Sequence, residues 1–140
     1  GNKTAKWEAA RDINHEVAHL GKSLLGLEST GVYYTQPPEP ECAPITEASL
    51  VIEAAGGRLQ LGEFIAADGS TWLMVVNLDR NQETVAHLTL RAGSIQRVDK
   101  STGTLLPLVC ADSQDCGPAA QGYRLTLDLA PADGVLLKLE

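Results

Sequence analysis

Residues 69–79 read Gly-Ser-Thr-Trp-Leu-Met-Val-Val-Asn-Leu-Asp, and this stretch predicts the central strand of a β-sheet. The turn residues Asp68 and Gly69 precede six apolar residues between Trp72 and Leu78, with only Asn77 among them. An apolar run of this length, rich in Val and bounded by turn residues, is typical of a strand that is buried on both faces. A central strand needs a partner on each edge, so we expect the following residues to form further strands.

Strand and turn patterns alternate from residue 49 to the end of the chain. Apolar and polar residues alternate clearly in 84–90 and 123–129, as they do in a strand with one buried face. The predicted strands are 50–54, 59–66, 71–78, 84–90, 95–99, 104–109, 123–129 and 135–139. About eight short strands with no helical pattern among them predict an all-β fold, an antiparallel Greek-key β-sandwich.

The first 34 residues have a different pattern, which predicts one long amphipathic α-helix and a short extended segment. Apolar residues recur at three- and four-residue steps, as on one face of a helix: they are Trp7, Ala10, Ile13, Val17, Leu20, Leu24 and Leu27. Thr4 is the expected N-cap. Residues 35–48 contain four Pro and predict a stiff linker, so the sandwich domain is expected to span 49–140.

The composition excludes several classes of function. A net charge of -7 argues against a nucleic-acid partner and against an anionic membrane surface. Aromatic residues make up only 4% of the chain, which argues against a broad sugar-stacking surface. There is no apolar run long enough to span a membrane. The chain begins with Gly rather than Met, so we expect it to be a piece of a longer protein.

The three Cys residues give one candidate disulfide. Cys110 and Cys116 flank a short polar loop, and this spacing permits a local disulfide in an oxidising compartment. Two free thiols are the equally weighted alternative. Cys42 lies in the Pro-rich segment and is expected to be free. Asp112 and Asp115 in the Cys loop suggest a hard cation such as calcium, but a solvated acidic loop is the preferred interpretation.

The sharpest chemical motif is His15-Glu16-Val17-Ala18-His19, an H-E-x-x-H sequence on the predicted helix. Two His at this spacing can bind zinc, with Glu16 as a general base. Only fourteen residues precede the motif, and the apolar stripe places both His on the polar face. The remaining His is His87, on a predicted strand, and a third ligand would otherwise have to be an acid such as Glu39, Glu41 or Glu47. We therefore prefer a solvated helical face and assign no metal ligand.

Other polar and aromatic residues have simpler interpretations. Asn77 and Asp79 end the apolar strand, and we expect them to bond their own backbone in the following turn. Trp72 and Tyr123 are candidates for sugar stacking, although a Trp within an apolar run is more often in the core. We assign no catalytic residue and no cofactor to this chain.

Three segments together resemble a known family. They are the strand 72–79, the segment Ile-Gln-Arg-Val-Asp-Lys-Ser-Thr-Gly at 95–103, and Leu-Asp-Leu-Ala-Pro-Ala-Asp-Gly-Val-Leu-Leu-Lys-Leu at 127–139. In this order they resemble the C-terminal β-sandwich that follows the (β/α)8 barrel in many glycoside hydrolases. The resemblance covers about residues 50–140. The amino-terminal helix is similar to the segment that joins barrel and sandwich in those enzymes.

The resemblance implies a non-catalytic accessory domain of a secreted or periplasmic glycoside hydrolase. The catalytic carboxylates of such enzymes lie in the barrel, so we do not expect this chain to be an enzyme by itself. The expected partner is the parent enzyme's catalytic barrel, with carbohydrate, or a second copy of the chain through the exposed helix, as further candidates. The alternatives are a carbohydrate-binding module and a zinc hydrolase that uses His15, Glu16 and His19.

Overall fold

The structure is a computed structural model, and it describes residues 4–36, 40–108 and 116–140. Within these ranges a single helix, α1 (Ala5–Leu24), precedes ten strands. The strands are β1 (Leu27–Tyr34), β2 (Val51–Ala55), β3 (Leu59–Ala66), β4 (Thr71–Asn77), β5 (Thr84–Leu90), β6 (Ile95–Val98), β7 (Leu105–Pro107), β8 (Cys116–Ala119), β9 (Gly122–Leu129) and β10 (Gly134–Leu139).

The strands form two antiparallel sheets. One sheet has six strands in the order β1-β3-β4-β10-β6-β7, and the other has four in the order β2-β5-β9-β8. The predicted fold class, an antiparallel all-β sandwich after one helix, is therefore confirmed. Strands distant in sequence lie side by side, such as β4 with β10 and β5 with β9. These neighbours require the long connections between sheets that Greek-key folds have.

The predicted central strand is confirmed as β4. It pairs with β3 on one edge and with β10 on the other, so that Val75 lies between Leu61 and Val135. Val75 and its inward-facing neighbours on both sheets form the main core, which is closed to solvent. Burying a Val or Leu side chain in this way stabilises the fold by about 1.5–3 kcal/mol.

The outer face of the six-stranded sheet has a second, smaller core. Trp72 and Leu136 are buried there together with Val98. Leu20 and Leu24 of α1 pack against this cluster. The helix therefore covers the face of β4 that points away from the main core, and this is why the apolar run in β4 is continuous rather than alternating.

β8 lies outside the sequence predictions, and β1 is longer than the short extended segment that the sequence predicts before the linker. β1 is an edge strand of eight residues with the sequence Leu-Glu-Ser-Thr-Gly-Val-Tyr-Tyr, and most of its side chains are exposed or half-buried. β8 is an edge strand with the sequence Cys-Gly-Pro-Ala. Edge strands tolerate polar residues, Gly and Pro because one side of the strand has no sheet partner. Such strands have no apolar pattern that would predict them.

The helix is shorter than its apolar pattern predicts. It begins after Thr4, whose Oγ1 accepts a hydrogen bond from the Trp7 N–H, so the predicted N-cap is confirmed. It ends at Leu24, and Leu27 already belongs to β1, where it pairs with Ala66. Residues 27–34, which the sequence assigns to the connection, thus form one edge of the six-stranded sheet. Backbone pairing with β3 takes precedence over the helical period at Leu27.

Candidate functional site

The helix contacts the sandwich through its last turns and leaves its first turns exposed. Leu20 and Leu24 lie over the Trp72 cluster. Trp7, Ile13 and Val17 belong to the same apolar stripe, but their exposed fractions are 43%, 60% and 61%. Within the part of the chain that the structure describes, the stripe is therefore only partly covered. An amphipathic helix with uncovered apolar side chains is a typical interaction surface.

One specific polar contact fixes the helix to the sandwich. The ring nitrogen Nδ1 of His19 lies 2.8 Å from the backbone carbonyl oxygen of Lys100. Because a carbonyl only accepts hydrogen bonds, Nδ1 must carry the proton, and Nε2 of His19 keeps its lone pair when the ring is neutral. His19 is half-buried, whereas His15 is exposed. The position of His15 therefore agrees with the preferred interpretation of a solvated helical face, whereas that of His19 does not.

The segment around Lys100 also connects the two hairpins that carry the resemblance. The Lys100 ammonium forms an ion pair with the Asp133 carboxylate in the turn before β10. Asp133 additionally accepts a hydrogen bond from the Gly134 N–H. The connection between β6 and β7 is therefore held by the β9–β10 turn on one side and by His19 on the other. These contacts join three segments that are distant in sequence.

The H-E-x-x-H motif places two imidazole rings on one side of α1. The ring centroids of His15 and His19 are 6.4 Å apart. Over residues 4–36, 40–108 and 116–140, no cluster of three or more His, Cys, Asp or Glu has a metal-binding arrangement. Of the suggested third ligands, His87 lies on β5, where its Nδ1 is 3.3 Å from the Thr126 hydroxyl. Glu39 lies outside the described residues, and Glu41 and Glu47 are exposed.

The two aromatic candidates for sugar stacking are largely covered. Trp72 is only 8% exposed, and its indole N–H donates a hydrogen bond to the Ser70 hydroxyl at 3.0 Å. Tyr123 is half-buried and packs against the main core. Trp72 therefore fills the core beneath α1, in agreement with the simpler sequence interpretation of this residue.

Asn77 and Asp79 have the turn-forming roles that the sequence predicts. Asn77 Oδ1 accepts a hydrogen bond from the Asp79 N–H at 3.0 Å. The Asp79 carboxylate in turn accepts from the N–H groups of Asn81 and Gln82. The buried Asn77 amide also donates to the carbonyls of Gln82 and Ala130, so it joins the end of β4 to the loop before β10.

A buried carboxylate that the sequence analysis missed lies between the two sheets. Glu63 on β3 is buried, and its Oε1 accepts a hydrogen bond from the Leu50 N–H at 2.5 Å. Burial raises the pKa of the Glu63 carboxyl, and hydrogen bonds from the backbone of Leu50 and Val51 oppose this shift. The signal was available in the sequence, because Glu63 shares the two-residue period of the inward-facing Leu59 and Leu61.

The exposed Asp68 and the half-buried Asp99 have lowered pKa values for a local reason. The Asp68 carboxylate accepts hydrogen bonds from both the hydroxyl and the N–H of Ser70, and these bonds lower its pKa. Asp99 makes the same pair of contacts with Ser101, with the same effect on its pKa. Both are turn-forming contacts at strand connections, and neither lies in a cleft with other reactive groups.

The Cys predictions are only partly addressed by the described residues. Cys42 carries a free thiol, as predicted. Cys116 is buried at the start of β8. Cys110, Asp112 and Asp115 lie outside the described residues, so the Cys110–Cys116 disulfide and the calcium loop stay predictions.

The comparisons with known proteins assign no family to this chain. No protein-family model matches it. A search of curated proteins likewise finds no match. Among the described residues, no helix combines the length and the apolar character that crossing a membrane requires.

Proposed function

We propose that this chain is a non-catalytic accessory β-sandwich of a secreted or periplasmic glycoside hydrolase, and that it packs against the catalytic barrel through α1. The observation that carries the proposal is the partly covered apolar stripe of the helix. Leu20 and Leu24 pack on the sandwich, while Ile13 and Val17 on the same stripe are about 60% exposed. Side chains of this kind lose their contact with water when a partner covers them.

The helix is suited to connect two bodies. Its carboxyl-terminal end is held by the Trp72 cluster and by the contact between His19 and Lys100. Its amino-terminal end extends from that anchor at about 1.5 Å per residue. Ile13 and Val17 are therefore exposed to contact with a domain that precedes the sandwich or lies beside it. The resemblance implies that this neighbour is the (β/α)8 barrel.

The contacts between the resembled segments support an accessory role. Lys100 pairs with Asp133, and Asn77 binds the loop before β10. The polar residues of these segments are engaged in turns and in contacts between strands, which are folding roles. The carbohydrate-binding alternative receives less support, because Trp72 is buried in the core under α1.

The test is direct binding between this chain and the (β/α)8 barrel encoded in the same reading frame, measured by isothermal titration calorimetry. We expect saturable binding by the native chain and binding at least about tenfold weaker in the Ile13→Asp/Val17→Asp double variant. Val85→Asp is the matched control, because Val85 is an apolar residue on β5 that is 45% exposed, and β5 belongs to the four-stranded sheet, which α1 does not cover. A reading frame without a barrel, or equal binding by both variants, would contradict the proposal.

A further inference from the structure

We propose that His15 and His19 form a two-imidazole binding site for a borderline transition-metal cation such as Zn²⁺ or Ni²⁺. The two residues are one helical turn apart on α1. This spacing places both rings on one side of the helix. The inference concerns metal binding alone. The site does not depend on the barrel partner, and we assign no hydrolase activity to it.

The contact between His19 and Lys100 orients the first ligand. Because Nδ1 donates its proton to the Lys100 carbonyl at 2.8 Å, Nε2 of the neutral ring is the free acceptor. Metal-binding His residues almost always hold their second ring nitrogen in this way, by donation to a carbonyl or a carboxylate. The hydrogen bond fixes both the tautomer and the direction of the His19 ring before a metal arrives.

His15 supplies the second ligand from an exposed position. Its ring centroid lies 6.4 Å from that of His19, with the two planes tilted by 41°. Rotation about the side-chain bonds of an exposed residue is fast, so His15 can turn a nitrogen towards an ion held by His19. Metal–nitrogen bonds of about 2.0–2.1 Å are then required from both rings.

The surroundings of the pair leave room for water. His15 borders an open cleft of about 560 Å³, whose other lining residues are Arg11, Asp12, Glu16, Lys100 and Ser101. The two cationic side chains, Arg11 and Lys100, each form an ion pair with an Asp, Asp12 and Asp133. Since the described residues supply no third protein ligand in place, water completes the coordination shell. Such a site binds more weakly than a three-ligand or four-ligand site. Nitrogen ligands favour Ni²⁺ and Zn²⁺ over Mg²⁺ and Ca²⁺, which prefer oxygen.

Metal binding has a structural consequence for the helix. Chelation bridges residues 15 and 19, and His19 is itself bonded to the β6–β7 connection. The ion binds only where the turn is helical, so it stabilises the folded helix by mass action. We therefore expect the metal to strengthen the anchored end of α1, next to the exposed Ile13 and Val17.

The experiment is calorimetric titration of tag-free protein with NiCl₂ and, separately, with ZnCl₂. We expect one ion per chain, and binding about tenfold weaker or more in both His15→Ala and His19→Ala. His87→Ala and Cys42→Ser should bind as the native chain does, because His87 lies on β5 and the free thiol of Cys42 lies outside the helix. MgCl₂ should give no saturable binding.

His15→Ala is the decisive variant, since His15 is exposed and its removal leaves the contact between His19 and Lys100 intact. A second readout is thermal unfolding: NiCl₂ should raise the Tm of the native chain and leave that of His15→Ala unchanged. No saturable binding at about 1 mM metal, or binding that persists in His15→Ala and is lost in Cys42→Ser, would overturn the proposal.

Discussion

The carboxylate of Glu63 on β3 accepts a hydrogen bond from the backbone N–H of Leu50, at the entrance to β2, over 2.5 Å. β3 belongs to the six-stranded sheet and β2 to the four-stranded sheet. The bond therefore ties the two layers of the sandwich at the point where the chain enters the second layer. Ser49, immediately before Leu50, is fully buried, so water does not replace this bond easily.

Removing the Glu63 carboxylate should destabilise the fold. In Glu63→Ala the N–H group of Leu50 loses its acceptor, and a buried unsatisfied donor costs about 1–3 kcal/mol. We expect a loss of about 2–4 kcal/mol in the free energy of unfolding, measured by urea denaturation. Glu53→Ala is the control, because Glu53 is exposed on β2, and it should change stability by less than about 0.5 kcal/mol. Equal effects of the two substitutions would contradict the assigned role of Glu63.

The raised pKa of Glu63 predicts a particular dependence of stability on pH. Burial raises the pKa above its ordinary value of 4.5, so the folded chain keeps this proton at pH values where the unfolded chain has lost it. The contribution of the Glu63 proton to the free energy of unfolding is therefore fully present below pH 4.5, and it is lost as the pH rises through the pKa of Glu63 in the folded chain. Glu63→Gln removes the titration, so the stability difference between native chain and variant should move in favour of the variant across that range.

Asp68 and Asp99 should give the opposite dependence of stability on pH. Hydrogen bonds from Ser70 and Ser101 lower the pKa of these two carboxyls below 3.8. Their contribution is present above pH 3.8 and is lost as the pH falls through the native pKa values. The variant Ser101→Ala should therefore lose stability at neutral pH and approach the native chain at strongly acidic pH. Ser70→Ala should add a loss that does not depend on pH, because the Ser70 hydroxyl also accepts a hydrogen bond from the Trp72 indole N–H. Urea denaturation at several pH values measures this, and an unchanged difference would contradict it.

Substitution of Asn77 should be among the most damaging changes in the turns. Its amide donates to two carbonyls and its Oδ1 accepts from the Asp79 N–H, all in a buried position. Asn77→Ala should lower the free energy of unfolding by about 2–4 kcal/mol, because three part-buried hydrogen bonds are lost at once. Asn81 is exposed in the turn that follows, and Asn81→Ala should lower the free energy of unfolding by less than about 0.5 kcal/mol. Similar losses of stability in both variants would show that the hydrogen bonds of the Asn77 side chain do not stabilise the fold.

The anchored end of α1 can be tested with two adjacent leucines. Leu24 packs against the Trp72 cluster, whereas Leu25 is 91% exposed. Leu24→Asp places a charge against an apolar surface and should release the helix, while Leu25→Asp should not. Hydrogen exchange of the amides of α1 is the measurement. We expect faster exchange in Leu24→Asp only, and fast exchange in the native chain would contradict the anchoring described above.

Several elements follow from local sequence alone. The apolar run of β4 and the alternation in β5 and β9 predict these strands because side chains alternate between the two faces of a sheet. The N-cap bond of Thr4 and the turn bond between the Asp79 N–H and Asn77 Oδ1 are equally predictable, since each reaches only a few residues along the chain. The bond from the Asn77 amide to the Ala130 carbonyl spans a longer distance in sequence and is not predictable in this way. By contrast, β1 and β8 are edge strands whose pairing depends on β3 and β9 rather than on their own residues.

The sequence by itself determined an antiparallel sandwich after one amphipathic helix, because apolar periodicity depends only on neighbouring residues. Only the tertiary structure decided which part of the helix is covered, where Glu63 is buried and what His19 binds. Those contacts join residues that are far apart in the chain: His19 to Lys100, Lys100 to Asp133, and Glu63 to Leu50. The periodicity of apolar residues along the chain cannot specify such pairs, because the order of the strands in the two sheets decides which residues meet.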